Sequence, residues 1–364
     1  MLRSRLKTIL HRLHREQRGQ VLWLTVFLIS VLGGMTAIAV DIGSFSSHRR
    51  DLQNYADAIA LAASLELPDE DAAEAKADDW AVKNGVDPDT MTLTFTEQNL
   101  PAEPNPKVRV ELAEDHEFTF ARLVGISSGV VGSSATAIKT SSAGGAGMVP
   151  LSVTEATLNG VALGDNVVLK YDASNIFEGN TNPLRIDGPG SANCAPGGTY
   201  CTGVMYGAEN VACASGVDST YCAGPTVVDT QPGNVVGATR TAIRDRLNTT
   251  SVHCNEFDEV FEDDPTTNEA GAYRIVQDCN PYLVGSYTSR RVLIVPVIEE
   301  LCNGSCEVTI VNFALFFLES IGSGGCTGND CEVVGRFVRV NQNVGMLAGT
   351  FNPEAMNSFV RLVE

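Results

Sequence analysis

From Val21 to Val40 the chain reads VLWLTVFLISVLGGMTAIAV, twenty positions without a charged side chain. At about 1.5 Å per helical residue, the run matches the roughly 30 Å hydrocarbon thickness of a bilayer. It predicts a transmembrane helix. Beyond Asp41 the apolar positions narrow to a stripe of Leu52, Tyr55, Ala56, Ile59, Ala60 and Ala63. These recur at three- and four-residue steps with no proline before Pro68, so the helix is expected to continue to about Glu66. An alanine-rich stripe suits close contact with another helix, and packing on the protein's own body would satisfy the same pattern.

Further on, PDEDAAEAKADDWAVKNG from Pro68 to Gly85 predicts a second helix, with early acids suited to its dipole and a glycine stop. Alternation over Thr92 to Thr96 and Lys107 to Leu112 predicts two strands separated by the loop LPAEPNP. Phe118 to Ile126 reads as helical and Gly132 to Thr140 as extended. Low-complexity SSAGGAG at 141–147 is expected to be a hinge between two folded parts. After Met148 the apolar runs are short, rich in Val and Ile, and bounded by Gly, Pro and Asn, which predicts a mostly β domain. VVGATRTAIRDRLN at 235–248 is its one clear amphipathic helix, with Val236, Ile243 and Leu247 on one side. IVNFALFFL is too short to span a membrane and contains Asn312, so it reads as a buried strand.

Charge adds direction to this pattern. The formal total is −19, but Arg3, Arg5, Lys7, Arg12, Arg15 and Arg18 face only Glu16 in residues 1–20, and the span is neutral. The three blocks carry +5, 0 and −24. By the positive-inside rule, the basic tip stays cytoplasmic and the body is exported. A body this anionic is repelled by phosphate backbones, so nucleic acid is not an expected partner. A cleaved secretory signal is the competing reading of the N-terminus, because Ala37-Ile38-Ala39 resembles an A-x-A processing site.

All ten cysteines fall after residue 193, as Cys194/Cys201, Cys213/Cys222, Cys254/Cys279, Cys302/Cys306 and Cys326/Cys331. An even count confined to an exported region predicts disulfides, with pairing between sequence neighbours the simplest arrangement. There is no C-x-x-C spacing, and His253 is the one histidine among them, which argues against zinc.

RGQ at 18–20, the apolar run, AVDIG at 39–43 and RRDLQNYADAIALAAS at 49–64 together resemble the N-terminal module of the TadE/TadG-like Flp pilus-assembly proteins. FTFARLVGIS at 118–127 and SSATAIKT at 133–140 are similar to the segment that commonly closes that family's first extracytoplasmic unit. The later LKYDASN, QPGNVVGATRTAIRDRLN, RRVLIVPVIEE and VTIVNFALFFLESIG resemble parts of longer TadG-related chains. The resemblance implies a membrane-anchored structural component whose helix contacts membrane lipid and other pilin-like or Tad-apparatus components. It departs from prepilin-peptidase substrates at one place: counting five residues from Gly19, where those pilins carry Glu, this chain has Leu24.

Chemical motifs are sparse. Gly125-Ile126-Ser127-Ser128-Gly129 fits G-x-S-x-G, but a nucleophile elbow needs a strand before it and a helix after it, and here a helix is expected first. Asp172 and Ser174 follow an apparent strand like a metal-ion motif, yet Ile176 stands where a third oxygen ligand belongs. Glu256, Asp258, Glu259, Glu262, Asp263 and Asp264 lack EF-hand spacing and read as a solvated acidic face. His11, His14, His48, His116 and His253 are scattered along the chain.

The expectation is therefore an α+β protein without cofactor, metal or catalytic site. Its parts would be a basic tip at 1–20, a span at 21–40, a helical stalk with a small α+β unit at 41–140, the hinge, and a disulfide-rich, mostly β domain at 148–364. It would sit as a single-pass protein of the cytoplasmic membrane and serve a Tad/Flp-type pilus apparatus. A membrane-tethered binding or adhesion protein working outside a pilus, with a surface target for its distal domain, is the alternative.

Overall fold

The computed structural model describes residues 2–100, 103–171, 181–248, 253–265, 272–282, 289–322, 325–327, 331–352, 355 and 357–363. Helix α1 (Leu2–Glu66) is one continuous element that includes the apolar run. Helix α2 (Glu70–Lys83) follows, capped by the Asp69 side chain, which accepts the Ala72 N–H at 3.0 Å. The chain then forms β1 (Met91–Leu100), β2 (Glu103–Glu117) and β3 (Ser128–Gly145). Next come β4 (Val153–Thr154), α3 (Glu155–Leu158), β5 (Asn166–Lys170), α4 (Thr199–Tyr206), β6 (Ala212–Cys213), β7 (Val227–Asp229) and α5 (Val236–Asn248). The remainder is α6 (Phe257–Val260), β8 (Phe261–Asp263), β9 (Ala272–Ile275), β10 (Val292–Ile298), β11 (Glu307–Ile321), β12 (Val333–Val340), β13 (Leu347–Ala348) and β14 (Ser358–Leu362).

Two sheets organise the mixed α+β body. The first has β1-β2-β3-β13 in order, with β6 and β14 also paired to β3. The second has β4-β10-β11-β12-β9-β8, with β5 on β12 and β7 on β11.

The predicted stripe on α1 closes the first core. Leu52, Ala56, Ile59, Ala60 and Ala63 are fully buried, with Tyr55 partly so. They meet Ala73, Ala77 and Ala81 of α2 and Val108, Val110, Leu112, Val131, Ala135 and Ala137 of β2 and β3. Alanine at these sites lets α1 lie close to both a helix and a sheet. The stripe is thus consumed by the protein's own body, which corrects its use as a surface for a second chain. Lys139 of β3 donates to the carbonyls of Leu65 and Leu67 at 2.6 and 2.8 Å, closing the otherwise unpartnered C-terminal end of α1.

The second sheet is covered on both faces, so its central strands read as unbroken apolar runs. In β10, Val292, Ile294 and Ile298 enter one core while Leu293, Val295 and Val297 enter the other. In β11, Phe313, Leu315 and Phe317 alternate with Ala314, Phe316 and Leu318 in the same way. The phase shifts at a bulge, where Val297 faces Asn312 but Ile298 faces Ile310. Tyr200, Cys201 and Val204 of α4, with Ala242 and Ile243 of α5, cover the second face.

Several expectations change. The loop LPAEPNP is largely strand, because β1 and β2 pair without a break from Met91↔Leu112 to Leu100↔Glu103. The 118–126 helix contracts to a 3-10 turn at Ala121–Val124. The hinge is not a linker: β3 continues to Gly145, and Ser141 to Gly145 are buried. A Cβ on Gly144 would stand 2.3 Å from the Ala212 carbonyl oxygen and 2.6 Å from Cys222 Sγ, so the small residues there serve close packing. The division at 148 also fails at the far end, since β14 leaves the second part and pairs with β3 from Ser358↔Ser141 to Leu362↔Ala137. Helix α5 buries Thr239, Ala242, Ile243 and Arg246, and it is joined by α4, which the sequence pattern did not mark.

Candidate functional site at the end of the apolar span

Residues 21–40 project apolar side chains in every direction, and they stay exposed; Trp23 is 77% and Phe27 70% accessible. This helix is long and apolar enough to cross a membrane. The first polar residue after it is Asp41, and that side chain is nearly inaccessible.

The fold buries Asp41 against the connection between β2 and β3. Its Oδ1 accepts the backbone N–H of Thr119 at 2.9 Å, its Oδ2 accepts that of Ala121 at 2.7 Å, and the Phe120 N–H lies between both oxygens. These are the orphan donors at the start of the 121–124 turn, where Phe120 occupies the capping position and offers no oxygen. Asp41 therefore supplies the missing cap from another element. Burial pushes its carboxyl pKa up, but the N–H groups of Ala121, Thr119 and Phe120, with the nearby His116, outweigh that and hold it below the ordinary value. Gly125, in the left-handed conformation, ends the turn and returns the chain to β3.

An aromatic cluster surrounds the tie. Phe45 stacks on Phe118 with ring centroids 5.9 Å apart, and His116 lies edge-on to both. His48 and His116, far apart in sequence, are 5.2 Å apart as rings. Ser44 Oγ is 3.0 Å from His116 Nε2, and His48 Nε2 is 3.1 Å from Glu114 Oε2. Among the described residues His116 makes no hydrogen bond to a carboxylate, so the Ser–His pair lacks the third group that would orient a hydrolytic base. Arg122 and Glu117 form an ion pair at 2.5 Å on the same loop.

Below the cluster, Gly34, Ala37, Ile38 and Ile42 of α1 face Phe120, Leu123 and Ile126 across an open cavity of about 710 Å³. Its walls are apolar apart from Asp41.

The other singled-out residues lie elsewhere. The basic positions Arg3, Arg5, Lys7, Arg12, Arg15 and Arg18 are on the helical backbone ahead of the span, which runs from Val21 to Val40. The cysteines form five disulfides, Cys194–Cys201, Cys213–Cys222, Cys254–Cys279, Cys302–Cys306 and Cys326–Cys331. Ser127 is exposed between a 3-10 turn and a strand, which is the reverse of an elbow context. Asp172, Ser174 and Ile176 lie outside the described residues. Within the acidic group, Glu256 and Glu259 cap α6 reciprocally and Glu262 pairs with Arg274 at 2.7 Å. Asp264 is buried, so this is not a uniform solvated face.

With this geometry in view, residues 19–75 match the Tad family model, described as Flp pilus-assembly TadE/G-like. The match begins just before the span and takes in Asp41, the whole buried stripe and the first turn of α2. The chain thus carries a TadE/G-like pilus-assembly module joined to a larger body. No curated protein and no solved structure matches the chain.

Proposed function

We propose that this protein is a membrane-anchored structural component of a Tad/Flp-type pilus assembly or secretion apparatus. One observation carries the reading: the family match at 19–75 falls on a helix that leaves an apolar span and is then built into a folded body. The basic tip supports an orientation with the N-terminus in the cytoplasm and the body outside, in the cytoplasmic membrane. The disulfides of that body are consistent with an oxidising compartment. Its work is contact rather than turnover, since the matched family is a structural type.

Leu24, at the fifth position after Gly19, supports a minor pilin-like component that keeps its N-terminal segment. Because residues 52–63 are occupied internally, other pilin-like components would have to engage the exposed part of α1. Deletion of the gene should abolish or alter surface pili, with restoration by the intact gene. Unchanged piliation in the deletion strain would overturn the proposal. Mass spectrometry of the native N-terminus tests retention separately.

A second reading is a tethered binding or adhesion protein outside any pilus. It is favoured by the length of chain beyond residue 75 that the family match leaves uncovered. Normal piliation combined with lost surface adhesion in the same deletion strain would select it.

A further inference from the structure

The connection between β2 and β3 presents apolar side chains where a soluble surface would not. Leu123 is 84%, Ile126 54% and Val130 68% exposed. Beside them, Gly34, Ala37 and Ile38 of the span form the facing wall of the cavity.

Depth follows from the helix. Asp41 is ionised and marks the water boundary, and Ile38 and Gly34 precede it by three and seven residues, about 4.5 and 10.5 Å along the axis. If residues 21–40 span the bilayer, side chains that share a cavity with Gly34 and Ile38 lie below that boundary. The body reaches down beside its own anchor. Water would be a poor filling for a cavity walled almost wholly by apolar side chains and continuous with the lipid-facing span. The Phe45, Phe118 and His116 rings sit just above, at the level where aromatic residues favour the membrane interface.

We propose that the 118–126 loop dips into the adjoining leaflet and that its cavity with Gly34, Ala37 and Ile38 holds a hydrocarbon chain of a bilayer lipid. This rests on the membrane-anchor reading. The loop is then a second, monotopic contact that fixes the tilt of the body, with the Asp41 tie holding it at that depth.

The test uses the full chain in phosphatidylcholine vesicles with brominated acyl chains, which quench indole fluorescence by contact. Trp80→Phe leaves Trp23 as the reporter of the span. Trp23→Phe with Trp80→Phe and Leu123→Trp places the sole indole on the loop, and Ile126→Trp in the same background repeats the measurement at a second exposed site. Trp23 and both loop indoles should lose most of their emission. Quenching of Trp23 with unquenched loop indoles would overturn the lipid site while leaving the anchor intact. A loop indole that is blue-shifted yet unquenched would place a protein segment there, such as the helix of a second copy, and would also overturn it. Unquenched Trp23 would overturn the anchor reading itself.

Discussion

The carboxylate of Asp41 accepts the backbone N–H of Ala121 at 2.7 Å across eighty positions of sequence. At the other end of the same helical segment, Lys139 donates to the carbonyls of Leu65 and Leu67. The stalk portion of α1 is therefore held at both ends by β3 and the connection leading into it, each tie using a charge of the sign that its helix end requires.

Replacing Asp41 by Ala should release the 118–127 connection without unfolding the second sheet. Chymotrypsin cleavage after Phe118, Phe120 or Leu123 should become severalfold faster, with Asp41→Asn intermediate because its amide oxygen still accepts. Equal cleavage rates in all three proteins would contradict the tie.

Acid should have the same effect. The folded Asp41 carboxyl titrates below its ordinary value of 3.8. Its contribution is present in full above the unfolded value and is lost as pH falls through the lower folded one. Cleavage of the connection should rise below pH 3.8 in the wild type and follow a flatter course in Asp41→Asn, assayed with an acid-tolerant protease.

Leu52→Ala removes a fully buried side chain from the first core. It should lower stability by about 2–5 kcal/mol. Ala60→Leu, which overpacks the same face, should cost about 1–3 kcal/mol. Denaturant titration of the full chain in detergent measures both. A negligible effect would mean that the stripe does not pack on the body.

Phe359 of β14 is buried against the first sheet despite its place near the end of the chain. Phe359→Ala should cost about 3–5 kcal/mol. Hydrogen exchange should quicken at residues 137–141 of β3 before it does in β10 or β11. The opposite order would show that the last strand belongs energetically to the second part.

Removing Cys254–Cys279, with a separation of 25 residues, should destabilise more than removing Cys302–Cys306, with a separation of 4. Loop-closure entropy gives about 3.5 against about 2 kcal/mol. Paired serine substitutions compared by thermal unfolding test the order.

How much of this was readable beforehand follows from the range of the interactions. Helix α1 to Glu66 was legible because its period is local and Pro68 closes it. Strands β10 and β11 were legible because burial on two faces leaves long Val-, Ile- and Phe-rich runs. Strand β2 was misread at Pro104 and Pro106, where it pairs with β1 but not yet with β3, whose pairing starts at Lys107. A proline is tolerated on a strand with a single neighbour. Helix α4 escaped because TYCTGVMY has weak helix propensity; Cys194–Cys201 and the 2.9 Å bond between Tyr200 and Thr239 secure it instead. Gly144 resembled flexibility because its crowding comes from Ala212 and Cys222, distant in sequence. The Asp41 site was visible only as two motifs, AVDIG and FTFARLVGIS; that one caps the other needed the fold.

The second sheet and its helices are inserted between β3 and β14, two neighbouring antiparallel strands of the first sheet. Mechanically, this gives the outer body two adjacent points of attachment in place of one swivel. A pull on it enters β3 and β14 along their lengths, so the hydrogen bonds between β3 and its neighbours are loaded together in shear rather than opened one at a time. Tension would then pass through a stiff sheet to the helix that leads into the apolar span.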